Sequence, residues 1–126
     1  MVQGTIPDAV KRLIAERIDS VAELEAILLL RGERDRWWTA LDAGRRLYVS
    51  TTVATHTLSV LSERGFLACD GERYRYEPRE DDLDAVVDAL STSYSESLIA
   101  VTAAIHSKPS QSVRQFADAF RLRKEK

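Results

Sequence analysis

At 126 residues, 44% hydrophobic and 30% charged, the chain is the size of one ordinary domain and apolar enough to bury a core. Its longest near-uninterrupted apolar run, residues 26–30, is too short to span a bilayer, and the N-terminus lacks a charged segment followed by an apolar stretch and a small-residue cleavage site; a cytoplasmic protein with no membrane partner is expected. One cysteine, Cys69, excludes an internal disulfide, and the isolated His56 and His106 offer no zinc spacing, so no metal or other cofactor is expected.

The formal net charge of -2 hides an uneven distribution. Residues 31–76 carry eight basic and six acidic groups, whereas residues 77–98 carry one basic and seven acidic groups. Residues 99–126 return to six basic against two acidic. Only the middle and the tail are therefore suited to face phosphate.

In chain order, Pro7 fits the first turn of a helix, and Val10, Leu13, Ile14 and Ile18 follow at helical spacing. Ser20 with Glu23 has the capping-box pattern. Val21, Leu24, Ile27 and Leu28 then give a second helix, apolar on most sides, that belongs in a core. Gly32 and the charged residues 33–36 read as a loop. Thr39 is a good N-cap for a third helix through Leu47, with Trp38 before it as a staple or core residue.

Ser50 can cap a new helix only about three residues after the previous one ends, which leaves room for a tight turn between two steeply crossing helices. Ala43, Leu47 and Val49 on one side and Ala54, Leu58 and Leu61 on the other have the spacing to pack that pair together. Gly65 stops the second helix, Phe66 and Leu67 re-enter the core, and Asp70-Gly71 reverses the chain into Arg73-Tyr74-Arg75-Tyr76. Alternation puts the arginines on one face and the tyrosines on the other, so a two-stranded wing is expected.

After Pro78 and the acidic Glu80, Asp81 and Asp82, apolar residues recur every three or four positions from Leu83 to Ile105, predicting one helix to about His106. At 1.5 Å per residue it would be about 36 Å long, more than a domain this small needs internally. Leu83, Val87, Leu90, Tyr94, Leu98, Val101 and Ile105 are the expected dimerisation residues, joined by Phe116 and Phe120 of a final helix beyond the break at Lys108-Pro109. The basic residues Arg121, Arg123, Lys124 and Lys126 read first as a solvated helix end.

The segment DAGRRLYVSTTVATHTLSVLSERGFL, followed by ACDGERYRYEP, resembles the bacterial winged helix-turn-helix transcriptional regulators. The resemblance covers roughly residues 20–77, and the helix order is similar to the multiple-antibiotic-resistance regulator (MarR-like) type, in which the outer helices make the dimer. It implies a mainly α fold with a small β-hairpin: a single domain over residues 1–126, a winged helix-turn-helix core over 20–77 and C-terminal dimerisation helices over 81–123.

For double-stranded DNA, the side chains projecting from the recognition helix are Thr51, Thr52, Thr55, His56 and Ser59, because the apolar positions face the core. Arg45, Arg46, Arg64, Arg73 and Arg75 are the expected phosphate or minor-groove contacts. The expected function is a homodimeric DNA-binding transcription regulator. A winged-helix module that binds a protein partner instead of DNA is the alternative, motivated by the acidic balance and by a recognition helix with no basic residue before Arg64. No helix or loop gathers a nucleophile, a base and an orienting group, so an enzyme is not expected.

Overall fold

Side-chain oxygens fix three of the helix starts. Ser20 Oγ accepts from Glu23 N at 3.1 Å, Thr39 Oγ1 from Asp42 N at 3.1 Å and Ser50 Oγ from Val53 N at 3.1 Å, each supplying an acceptor for one N–H that a first turn leaves open. The reciprocal half of the Ser20 capping box is displaced by one residue, since the Glu23 carboxylate accepts from Asp19 N at 2.8 Å. The computed structural model describes residues 6–108. Within them the order is α1 (Asp8–Arg17), α2 (Val21–Gly32), β1 (Trp38–Thr39), α3 (Ala40–Leu47), α4 (Thr51–Glu63), β2 (Leu67–Cys69), β3 (Arg73–Tyr76), α5 (Leu83–Glu96) and α6 (Leu98–His106). The chain is thus mainly α with a small antiparallel sheet. No helix among the described residues is long and apolar enough to cross a membrane.

The core is built where the faces of α1, α2, α4 and α5 meet. Val10 and Ile14, Leu24 and Ile27, Leu58 and Leu61, and Val87 and Leu90 are all buried there with Phe66. At roughly 1.5–3 kcal/mol per fully buried large apolar side chain, this cluster is the main source of stability.

The helices α3 and α4 cross closely because Gly44 has no side chain. A Cβ there would lie 3.0 Å from Val49 O and 3.3 Å from the Ala54 Cβ, so even alanine would push the two helices apart. Ala43, Ala54, Leu58 and Leu61 are buried at or below this crossing, and Leu47 and Val49 are half-buried.

The sheet has three strands where two were expected, in the order β1-β3-β2. Trp38 pairs with Tyr74 and Thr39 with Arg73, so the segment leading into α3 covers the β3 edge of the hairpin. A two-residue strand carries no readable alternation, which is why periodicity misses it. Trp38 is buried, with the Arg36 guanidinium 3.7 Å and that of Arg46 5.4 Å from its ring centroids. Its indole Nε1 is the one buried side-chain polar atom without a hydrogen-bond partner among the described residues.

The single long C-terminal helix is corrected by the structure: it breaks at Ser97, whose φ of -137 and ψ of 55 are not helical, into α5 of 14 residues and α6 of 9. The hydroxyl-rich run Ser91-Thr92-Ser93, with Ser95 and Ser97, weakens helix propagation just there, because these side chains compete for backbone groups. The bend lets α5 and α6 both pack on α1. Leu83, Val87, Leu90, Val101 and Ile105, expected at a dimer interface, are buried in the chain's own core. Tyr94 is half-buried, with its hydroxyl 3.1 Å from Glu25 Oε2. Leu98 and its neighbour Ile99 are 53% and 84% exposed. Phe116, Phe120 and the basic tail lie outside the described residues.

Candidate nucleic-acid interface

The amphipathicity of α4 divides its residues cleanly. Ala54, Thr57, Leu58 and Leu61 are buried, which turns Thr51, Thr52, Thr55 and His56 outward to solvent, with Ser59 half-buried at the margin. The first turn of α4 carries no carboxylate, and its N-terminus has the positive end of the helix dipole. Thr55 donates its hydroxyl to Thr51 O at 2.8 Å, so toward a ligand it offers an acceptor lone pair and a methyl group. Val53, which helical spacing had left out of the outward set, is 45% exposed among these polar side chains.

Of the five arginines expected to meet phosphate, Arg45, Arg46 and Arg73 are exposed, Arg75 is half-buried at the hairpin surface and Arg64 is turned inward. Arg45 is exposed and has no ion-pair partner among the described residues. Arg46 lies 3.5 Å from Glu33 Oε2. The hairpin arginines are also paired, Arg73 with Asp70 at 2.9 Å and Arg75 with Glu77 at 2.5 Å. Trp37 lies beneath both, with the Arg75 guanidinium 4.6 Å and that of Arg73 5.8 Å from its ring centroids, so the pair is presented from an aromatic platform. Asp70 also accepts from the backbone N–H groups of Glu72 and Arg73, at 3.0 and 2.7 Å, which closes the turn at Gly71 and holds its carboxyl below the usual range.

Arg64 is the correction. It forms the C-cap of α4, and its guanidinium turns away from the outward face to bond Arg17 O and Glu23 Oε1 at 2.7 Å each and Asp19 Oδ2 at 3.0 Å. Lys108, at the end of α6, reaches the same carboxylate at 2.8 Å and also donates to Ile14 O and Ile18 O. Arg64 is therefore a structural tie among α1, α2 and α4, not a phosphate contact.

A second polar cluster anchors the hairpin to α5. Tyr76 is buried and donates to Asp84 Oδ1 at 2.7 Å, while Arg34 and Arg31 approach the same carboxylate at 2.9 and 3.3 Å. The Tyr76 hydrogen bond, followed by the arginines, holds the Asp84 carboxyl below its ordinary range; burial and Asp84 push the Tyr76 phenol up. Asp84, in the first turn of α5, thus fixes the hairpin to that helix.

Tyr48 was missed by sequence reasoning. It is the C-cap of α3, with φ 60 and ψ 40 in the left-handed region and its N–H bonded to Gly44 O. That region costs an ordinary L residue about 1–2 kcal/mol, and glycine or asparagine normally stands there. The signal was available as the absence of glycine between Leu47 and the Ser50 cap.

No family model, no curated protein and no solved structure matches this chain.

Proposed function

We propose that the chain is a winged helix-turn-helix DNA-binding regulator that acts as a homodimer, with α3 and α4 as the helix pair and the β2–β3 hairpin as the wing. The observation that carries this reading is the outward face of α4: Thr51, Thr52, Thr55 and His56 project from a helix whose opposite face is fully committed to the core. A helix anchored on one side and polar on the other, short enough to enter a major groove by its N-terminal half, is what direct base readout requires. Threonine methyls meet thymine methyls, and the hydroxyls and imidazole bond base edges or phosphates. No bidentate arginine or asparagine projects from this half of α4, so each copy reads its bases with modest energy. Arg45, Arg46, Arg73 and Arg75 supply the phosphate contacts, and two copies double the whole. The exposed Leu98 and Ile99 provide apolar surface for that pairing.

Selection of bound fragments from random-sequence DNA at low and moderate salt tests the proposal. Enrichment of a palindrome with half-sites about one helical turn apart is expected. Failure to enrich any sequence at low salt would overturn it.

A second reading has an observation of its own. Arg46, Arg73 and Arg75 each have a carboxylate within 3.5 Å, which makes this surface closer to neutral than its arginine count suggests. A protein-binding module would use such a mixed-charge face without modification. A stoichiometric protein partner in a pull-down, with no DNA affinity at low salt, would decide for it.

A further inference from the structure

Tyr48 is 94% exposed, holds a left-handed backbone conformation, and makes no side-chain hydrogen bond among the described residues. No hydrogen bond, ion pair or buried contact among the described residues accounts for a tyrosine here. The position rewards glycine or asparagine, the ring buries almost no surface, and the turn is already closed by backbone bonds from Tyr48 N and Val49 N to Gly44 O. Strained residues that the local fold over-determines tend to be retained where the side chain meets a ligand. Tyr48 lies three residues before the first residue of α4, in the turn that also follows Arg45 and Arg46. The turn that holds its exposed hydroxyl leads directly into the helix that carries Thr51, Thr52, Thr55 and His56.

We propose that the Tyr48 hydroxyl donates a hydrogen bond to a DNA backbone phosphate beside the groove that α4 enters, fixing the depth and register of the helix; this rests on the DNA-binding reading above. Tyrosine is a recurrent donor to phosphate oxygens, and such contacts position a protein without reading sequence. The hydroxyl is neutral, so it differs from the arginines in one measurable respect. It displaces no counterion, and its loss lowers affinity without changing the salt slope.

The test uses the full chain and two variants, Tyr48→Phe and Tyr48→Asn. Affinity is measured by fluorescence anisotropy over a salt series, on a duplex recovered by selection and on an unrelated duplex of equal length. Both variants are expected to bind about ten- to a hundredfold more weakly, the loss of one net hydrogen bond from each copy of the dimer, on both duplexes and at an unchanged salt slope. The melting temperature of Tyr48→Asn should equal or exceed that of the parent, because asparagine tolerates the left-handed region. Wild-type affinity in both variants would overturn the proposal. Weakening in Tyr48→Asn alone would put the ring rather than the hydroxyl on the DNA and overturn the phosphate contact, as would a loss confined to the selected duplex. A lowered melting temperature for Tyr48→Asn would show that the ring packs on the protein, also against the proposal. If the parent chain binds neither duplex, the DNA-binding reading itself falls and Tyr48 falls with it, an outcome distinct from all the others.

Discussion

Arg64 and Arg73 are the same chemical group, each paired with a carboxylate at close to the same distance, 2.7 and 2.9 Å, yet they hold opposite positions in this molecule. Arg64 and its partner Glu23 are 25% and 13% exposed, and they share a junction with Asp19, Lys108 and the carbonyl ends of α1. Arg73 and Asp70 are 53% and 31% exposed at the tip of the hairpin. In the junction water is partly excluded, so a broken pair leaves charge that solvent cannot easily recover. At the hairpin water and salt screen the same contact to little net value. One end of α4 is therefore bolted to α1, α2 and α6 by ions, while the surface proposed to meet DNA keeps its ion pairs exchangeable. A phosphate can replace Asp70 at small cost; it cannot replace Asp19.

The largest effect that follows is the loss of Arg64. Arg64→Met should destabilise the chain by about 2–4 kcal/mol, because Asp19 and Glu23 lose their shared partner in a partly buried site. Urea denaturation measures it. A loss below about 0.5 kcal/mol, the range of ordinary surface substitutions, would erase the distinction between the two arginines.

Next is Asp84, itself 35% exposed but bonded to the buried Tyr76. Asp84→Asn should cost about 1–2 kcal/mol near neutral pH, discounted for partial solvent access, by weakening the bonds from Tyr76, Arg34 and Arg31. The Tyr76 bond first, and the arginines after it, make Asp84 a stronger acid in the folded chain. Its contribution is therefore present above the unfolded aspartate value of about 3.9 and is lost as pH falls through the lower folded one. Denaturation curves of parent and variant should converge in that acid window. Curves that stay parallel throughout would mean that the charge on Asp84 is not what holds the hairpin.

The divide between these regions also marks what the sequence could reveal. The caps at Ser20, Thr39 and Ser50 were legible because each acts over three residues. The outward face of α4 was legible too, by subtracting the apolar period. The role of Arg64 was not, since its partners Glu23 and Asp19 are 41 and 45 positions away and no local rule selects them. Periodicity also carried the last helix straight through Ser97, because Leu98 and Val101 keep the apolar spacing while the backbone beneath them turns. Gly44 and Tyr48 failed in complementary ways. One is a glycine required by a neighbouring helix, and the other is a non-glycine where a turn would prefer one.

On the exchangeable side the expected effects on folding are small and those on binding are specific. Arg73→Ala with Arg75→Ala should leave stability within about 0.5 kcal/mol, since both pairs are at the surface. The double variant should lower DNA affinity on all sequences alike and reduce the log–log salt slope of the dimeric complex by about four, one for each of the two phosphates per copy no longer neutralised. Arg64→Gln, assayed under the same conditions, should leave that slope unchanged. If the slopes behave the other way round, the assignment of the two arginine classes is inverted.

The smallest effect is the sharpest. Glu77 is 55% exposed and holds Arg75 at 2.5 Å, so Glu77→Gln removes a charge that contributes almost nothing to stability and returns one arginine to the surface. If that surface meets phosphate, affinity at low salt should rise by up to about fivefold for each copy of the dimer, the equivalent of about 1 kcal/mol per copy, and the gain should fade as salt screens it. Anisotropy titrations at two ionic strengths are enough to see it. A face built for a protein partner predicts the reverse, because the mixed charge of Arg75 and Glu77 would be part of the recognised pattern and its removal would weaken the complex. The same conservative substitution therefore moves the two readings of this surface in opposite directions.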